Sequence, residues 1–306
     1  MPPATQRFPI GYHLNSWDLT GQSNPDAIAF LAGLGFPLFE VLASTSLDDQ
    51  YTRQYMGLGQ RPPVNVLTDT RFLHRLAEFS RGQREHGIQL SSLYVNAEYT
   101  NQASWELELA NFESILRILV GFGSHHLVVG GGVPAVAGHP HTDDDYVAFG
   151  RSFNELCALS AEFGIQSVYH PHLDTFVETR EQLDRLVERL DLSVAALCID
   201  SAHLQQTHSD PVAIIRDYYD MVKYIHLKDT FVDDSLVGDA RYKAFCELGA
   251  GAVDIAGITA LLVEKGYAGP AIVELDASHK TAEQSTLESI AYLESLGLVL
   301  DPAAAR

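Results

Sequence analysis

Residues 195–229 contain one complete folding unit: Ala195-Ala-Leu-Cys-Ile-Asp-Ser-Ala-His203, then Asp210-Pro-Val-Ala-Ile-Ile-Arg-Asp-Tyr-Tyr-Asp220, then Val222-Lys-Tyr-Ile-His-Leu-Lys-Asp229. The apolar run at 195–199 ends in an acid, Asp200, and a helical pattern at 210–220 follows it. A second apolar run at 222–225 then ends in His226, Lys228 and Asp229. Two near-continuous apolar strands with a helix between them read as parallel strands buried on both faces, because only a crossover helix can cover such a pair.

The same unit recurs along the chain. Strand-like runs fall at 9–13, 37–42, 90–95, 126–129, 166–169, 195–199, 222–225 and 271–273. Amphipathic segments lie between and after them at about 24–34, 68–86, 102–122, 143–163, 179–190, 210–220, 254–266 and 282–297. Thr179-Arg-Glu-Gln182 has the form of a capping box, and Asn24-Pro25-Asp26 sets a proline at a first helical position. Eight strand–helix alternations in 306 residues predict a single α/β domain over 1–306, a closed (β/α)8 TIM barrel. An open doubly wound sheet is the competing architecture. It is disfavoured because Gly11-Tyr-His-Leu-Asn15 lacks the glycine spacing of a dinucleotide turn after the first strand. The Gly130-Gly131-Gly132 run reads as a tight loop after the fourth strand rather than a phosphate cradle, and Asp143-Asp144-Asp145 reads as helix-start charge. Two long connections, 43–66 and 230–252, follow the C-terminal ends of strands and are expected to act as lids over the mouth.

Composition narrows the partners. Forty Asp and Glu against 20 Lys and Arg give a formal charge of −20, which repels a phosphate backbone, so no nucleic-acid partner is expected. Cys157, Cys198 and Cys246 form no CxxC pair and suit a reducing compartment. There is neither an apolar signal core at the start nor an uncharged apolar stretch of about 18 residues, so a cytoplasmic protein without a membrane partner is expected.

Chemistry in such a barrel is carried at the C-terminal ends of the strands, and those ends are crowded with ligand-type residues. His13, Asn15 and Trp17 follow strand one, Glu40 lies in strand two, and Tyr94 and Asn96 stand at strand three. Tyr169-His170-Pro171-His172-Leu173-Asp174 follows strand five, Asp200 and His203 strand six, His226, Lys228 and Asp229 strand seven, and Glu274 and Asp276 strand eight. A lone His or Asp at a strand end is more often a satisfied histidine or a helix cap than a ligand. Imidazole and carboxylate converging from four successive strands is what a six-coordinate divalent cation needs, and manganese, cobalt or zinc suits that mixture better than calcium. Trp17 could supply an apolar wall for a sugar face or pack in the barrel.

With these residues in view, the chain resembles the sugar phosphate isomerase/epimerase superfamily, the xylose isomerase-like TIM barrels. Within it, the motifs are most similar to the branch that contains inosose (2-keto-myo-inositol) dehydratase. Tyr169–Thr179, Ile199–Leu204, Tyr224–Asp229, Phe245–Asp254 and Ile272–Asp276 carry the resemblance. It implies a metal site with one ligand from each of strands five to eight. Asp200, His226 and Glu274 match three of these directly. The family's strand-five glutamate is best matched by His170, which leaves His170, His172 or Glu178 as the fourth ligand. The implied cofactor is a divalent ion, Mn2+ first, with Co2+, Zn2+ or Mg2+ as alternatives, and the implied assembly is a homo-oligomer, a dimer or tetramer.

The resemblance further implies a small-molecule polyol or keto-sugar substrate contacted by His13, Trp17, Glu178 and His203. The expected activity is that of a lyase or isomerase working through a metal-stabilised enediolate on a keto-sugar, keto-inositol or keto-glycoside. Dehydration or a related β-elimination is preferred, because only Glu274 remains of the glutamate pair that serves epimerases. His172 is the candidate acid–base group, and Lys228 stabilises the developing oxyanion unless it is a solvated loop residue or a partner of Asp229. A ketose isomerase or epimerase and a non-catalytic sugar-binding barrel are the alternatives. A metal-dependent endonuclease of the superfamily is disfavoured by the charge. No Arg lies near the matched strand ends, which favours a neutral polyol over a phosphate ester.

Overall fold

The computed structural model describes residues 8–20, 24–43, 70–135 and 140–301. Eight parallel strands close on one another: β1 (Ile10–His13), β2 (Leu38–Leu42), β3 (Gln89–Ala97), β4 (His126–Gly131), β5 (Gln166–Tyr169), β6 (Ala196–Asp200), β7 (Val222–Leu227) and β8 (Ala271–Val273). Each pairs with its chain neighbours, and β8 pairs back to β1 through Ile10↔Ala271 and Tyr12↔Val273. Around them run α1 (Asn15–Thr20), α2 (Asn24–Leu34), α3 (Thr70–His86), α4 (Trp105–Phe122), α5 (Asp143–Glu162), α6 (Arg180–Val187), α7 (Ser201–Gln206), α8 (Pro211–Asp217), α9 (Ile255–Lys265) and α10 (Ala282–Ser295). The expected (β/α)8 barrel is therefore the fold, with all eight strand runs in place. Among the described residues, no helix is long and apolar enough to cross a membrane.

Alternation along the strands sorts side chains into two cores. Leu197, Ile199, Ile225 and Val273 face the helices and join the large outer cluster. Leu38, Tyr94, Val128, Val168, Ala196, Cys198, Tyr224 and Ile272 fill the barrel as a separate inner layer. Strand side chains repeat every two residues, so the residue two positions beyond each inner-layer side chain also points inward, one layer nearer the mouth. Among those residues are Glu40, His170, Asp200, His226 and Glu274. The polar site thus rests on an apolar floor fixed by strand register.

Local chemistry sets the element boundaries. Thr179 accepts from the Gln182 amide and completes the expected capping box, and Thr142 with Asp145 makes another, so the 143–145 acids do open a helix. Asp200 caps α7, a short helix that the sequence pattern does not announce. Gly131 and Gly132 adopt positive φ, and a Cβ on Gly132 would come within 2.6 Å of Phe176, which accounts for the glycine run as a packed turn.

Of the two expected lids, residues 44–66 lie outside the described residues. The 230–252 connection folds back as a short antiparallel pair, Asp229–Thr230 with Phe245–Cys246, joined through a 3-10 turn at Gly238–Ala244. Asp229 ties its return: the buried carboxylate accepts from the amides of Gly249, Gly251 and Val253 at 2.9–3.0 Å. Glu247 anchors the far end, accepting from Ser278 and Ser285 hydroxyls at 2.7 and 2.8 Å and from Lys280 at 3.0 Å. Burial works against the Glu247 carboxylate, but the Ser278 and Ser285 hydroxyls and Lys280 outweigh it and hold its pKa at about 2 instead of 4.5. A carboxylate with a depressed folded pKa contributes stability that is complete above the unfolded value and is lost as pH falls through the folded one. Glu247→Gln is therefore expected to flatten the fall in thermal stability between pH 4.5 and about 2. Melting curves across that window check this; a slope identical to that of the unmodified protein contradicts it.

Candidate active site at the mouth of the barrel

Four strand ends deliver one donor each to a common point. The ligand atoms of His170, Asp200, His226 and Glu274 all lie within 4.8 Å of one another, and all four residues are buried. His170 Nε2 stands 3.0 Å from His226 Nδ1 and 3.4 Å from Asp200 Oδ2. His226 Nδ1 is 2.7 Å from Glu274 Oε2.

Three of the four donors are aimed by a contact on their other side. Asp200 Oδ1 accepts from the Ala202 and His203 amides at 2.8 and 3.0 Å as the α7 cap, which leaves Oδ2 toward the cluster. Glu274 Oε1 accepts from the Asn15 side chain at 3.1 Å, and Asn15 also bonds Asp276 at 2.9 Å. His226 Nε2 faces Glu40 at 3.2 Å.

Burial would push the Asp200 carboxyl up, but Lys228, His203 and His170 hold it far below the usual carboxylate range. Lys228 is fully buried, 2.7 Å from Asp276, 3.3 Å from Asp200 and 3.4 Å from Glu274. Burial opposes its charge, yet Asp200, Asp276 and Glu274 raise its pKa above that of a free lysine, so it is an ammonium donor. Its burial excludes the alternative reading of a solvated loop lysine. Nor does Lys228 pair with Asp229, whose carboxylate is bound to the lid amides.

The donor set fits a divalent cation. Three carboxylates, Asp200, Glu274 and Asp276, crowd one ammonium, and so much negative charge out of water is costly without further compensation. Two imidazole nitrogens with two carboxylate oxygens suit a borderline first-row ion. Glu274 Oε2 makes no aligned hydrogen bond despite being buried. His170, Asp200, His226 and Glu274 would hold the ion.

A second group, His172, His203 and Asp276, adjoins the first. Here Lys228 supplies the positive charge, with Nζ 3.0 Å from His203 Nε2. The rings of His172 and His203 lie 3.6 Å apart, and Tyr242 and Phe245 of the lid close over them, Phe245 at 5.2 Å from His203. His172 is half-buried, and its Nδ1 donates to the Leu173 carbonyl at 2.7 Å, so the Nε2 lone pair is left available. Burial, His170 and Lys228 push its pKa down to about 4, which keeps it neutral near pH 7.

Other expected site residues are placed differently. Glu178, a candidate ligand and substrate contact, is not in either cluster; it accepts from the Asp174 amide at 2.7 Å and faces Arg241 at 3.4 Å. Arg241, remote from the matched strand ends in sequence, reaches the strand-five loop from the lid and is engaged by Asp174 at 2.6 Å. Trp17 is 1% exposed, with its ring packed against Tyr12 and Phe30, so its described contacts are those of the barrel core. His13 is buried beside Glu40, 3.8 Å away, and accepts from the Asn15 amide. The structure adds Asn15, Glu40 and Asp276 as contacts of the cluster. The signal for Glu40 lay in the sequence as an acid inside an otherwise apolar strand.

A family model described as the xylose isomerase-like TIM barrel matches residues 28–296. The chain belongs to this family. An inosose dehydratase of Geobacillus kaustophilus is 30% identical over 234 residues, 69% of this chain and 76% of the relative. An inosose dehydratase of Lacticaseibacillus casei is 27% identical over 279 residues, 84% and 90% of the two chains. Among solved structures, the probable 3-DHS dehydratase AsbF of Bacillus anthracis superposes with a TM-score of 0.72 at 14% identity, over 94% of this chain and 99% of that one. The IOLI protein with a bound zinc atom gives 0.71 at 16% identity, over 94% and 98%. These two likenesses concern the fold.

Proposed function

We propose that this enzyme is a divalent-metal-dependent lyase that removes water, or a related β-substituent, from a keto-sugar, keto-inositol or keto-glycoside. The observation that carries the reading is the convergence of His170, Asp200, His226 and Glu274 beside a neutral His172 and a charged Lys228. The inosose dehydratases at 27–30% identity support the substrate class, and the zinc-bearing barrel supports a metal.

A divalent ion held by the four ligands would act as a Lewis acid on a substrate carbonyl oxygen, acidifying the adjacent C–H. His172 Nε2 takes that proton. The Lys228 ammonium, locked in place by Asp276 and Asp200, donates toward the oxygen that gains charge. Loss of the β-hydroxyl completes the elimination when His172 returns its proton to the leaving oxygen, so the net change is one water lost. Tyr242 and Phe245 cover the two histidines and limit access of bulk water, which strengthens each of these contacts.

The ketose epimerase reading uses the same barrel. It is less well supported, because the strand-five position carries His170, which leaves one carboxylate fewer to exchange protons across the substrate plane. Incubating the metal-loaded protein with 2-keto-myo-inositol and analysing the product by mass spectrometry separates the readings. Loss of water supports the lyase; inversion without loss of mass supports the epimerase.

Lys228→Met is expected to lower kcat by about 100-fold or more, the range for removing one donor to a developing oxyanion. Metal affinity should be maintained or improve, since a cation next to Asp200 and Glu274 is removed. Steady-state kinetics with metal titration check both; unchanged kcat contradicts the assigned role.

A further inference from the structure

His226 presents a different nitrogen to each side of the barrel. Nδ1 faces His170, Asp200 and Glu274, while Nε2 lies between the two carboxylate oxygens of Glu40, 3.2 Å from Oε1 and 3.3 Å from Oε2. Glu40 is fully buried on β2, and its strand register sets it beside His13. The Tyr224 hydroxyl donates to Glu40 Oε2, and Ser91 Oγ stands 2.8 Å from the same hydroxyl. An ionised carboxylate only accepts, so the proton at the Tyr224–Glu40 contact belongs to the Tyr224 hydroxyl.

We infer that Glu40 is a positioning residue that fixes His226 as the Nε2–H tautomer and turns the Nδ1 lone pair toward the four-donor cluster, with Tyr224 and Ser91 holding Glu40 in place. An imidazole that ligates an ion is neutral and keeps one N–H, and the acceptor that takes it decides which nitrogen is free to ligate. Without Glu40 the ring can take either tautomer or rotate, and the cluster loses one of its donors for part of the time. A buried carboxylate in an otherwise apolar strand is expensive, and its partners here are His226, His13 and Tyr224, of which Tyr224 belongs to the floor and His226 to the cluster itself. Glu40 is oriented from below by Tyr224, so the control runs from the apolar floor of the barrel to the mouth.

The inference rests on the metal-binding reading above, and its test separates the two. Titration of the protein with Co2+ alone, followed by calorimetry and by the visible absorption of the bound ion, gives the affinity and the ligand field in the absence of substrate. Glu40→Gln is nearly isosteric and can offer its amide N–H to Nε2, which permits the wrong tautomer. It is expected to weaken Co2+ binding by about 10–100-fold, the range for losing an outer-shell partner, and to shift the absorption bands. Tyr224→Phe should act in the same direction by a smaller factor and serves if Glu40→Gln does not fold. Co2+ affinity and bands equal to those of the unmodified protein in both variants overturn the role of Glu40 and leave the metal site standing. An unmodified protein that binds no Co2+ overturns both.

Discussion

Asp200→Asn is expected to abolish detectable turnover and to weaken metal binding beyond the roughly 10–100-fold range typical of outer-shell partners. Asp200 has two separable jobs: Oδ1 caps α7, and Oδ2 points into the cluster. Asn is as good a cap as Asp, so the helix start is retained and thermal stability should change little. Removal of the carboxylate charge leaves His170, His226 and Glu274 with one donor weakened, and it leaves the Lys228 ammonium with one acceptor fewer. Metal content after dialysis, together with turnover and melting temperature, checks the three parts. Full activity with wild-type metal content contradicts the placement of Asp200 among the ligands.

His172→Gln is the second large expected loss. Removing a general acid–base group costs on the order of 100- to 10,000-fold in kcat. Metal binding should be unaffected, because His172 belongs to the neighbouring group with His203 and Asp276 rather than to the four-donor cluster. The pH profile adds a second readout. Burial, His170 and Lys228 depress the His172 pKa to about 4, so the base form is complete above that value and is lost as pH falls through it. The acid limb of kcat/KM should accordingly lie well below the 6.5 of a free histidine and be missing from the residual rate of His172→Gln. A variant that retains its rate and its acid limb assigns the proton transfer to another group.

The barrel was legible because its strands are buried on both faces, so each is written as an apolar run ending at the mouth. Period-two alternation then explains why His170, Asp200, His226 and Glu274 converge: each lies two residues past a floor side chain, at Val168, Cys198, Tyr224 and Ile272. Residue type alone could not choose among His170, His172 and Glu178 for strand five. The turn after Tyr169 sends successive side chains to different places: His170 to the cluster, His172 to His203, and Glu178 to Arg241 on the lid.

For Lys228 the sequence leaves two roles open, an oxyanion donor and a loop lysine paired with Asp229. A lysine next to an aspartate after a strand looks like a surface pair, and only the spatial meeting of Asp200, Glu274 and Asp276 makes its burial tolerable. For Trp17, nearness to His13 and Asn15 in sequence leaves a sugar wall and barrel packing both open, and the described ring contacts are those with Tyr12 and Phe30. Glu40 required knowledge of which strand end faces which, since its partners His226 and Tyr224 are about 185 residues away in sequence.

The central claim is that four strand ends hold one divalent ion at the mouth of the barrel. Diffraction from crystals of metal-loaded protein, recorded at the absorption edge of the bound ion, tests it most directly. One anomalous peak within bonding distance of His170 Nε2, Asp200 Oδ2, His226 Nδ1 and Glu274 Oε2 is the expected result. A peak among His172, His203 and Asp276 instead, or no peak at any strand end, would contradict it.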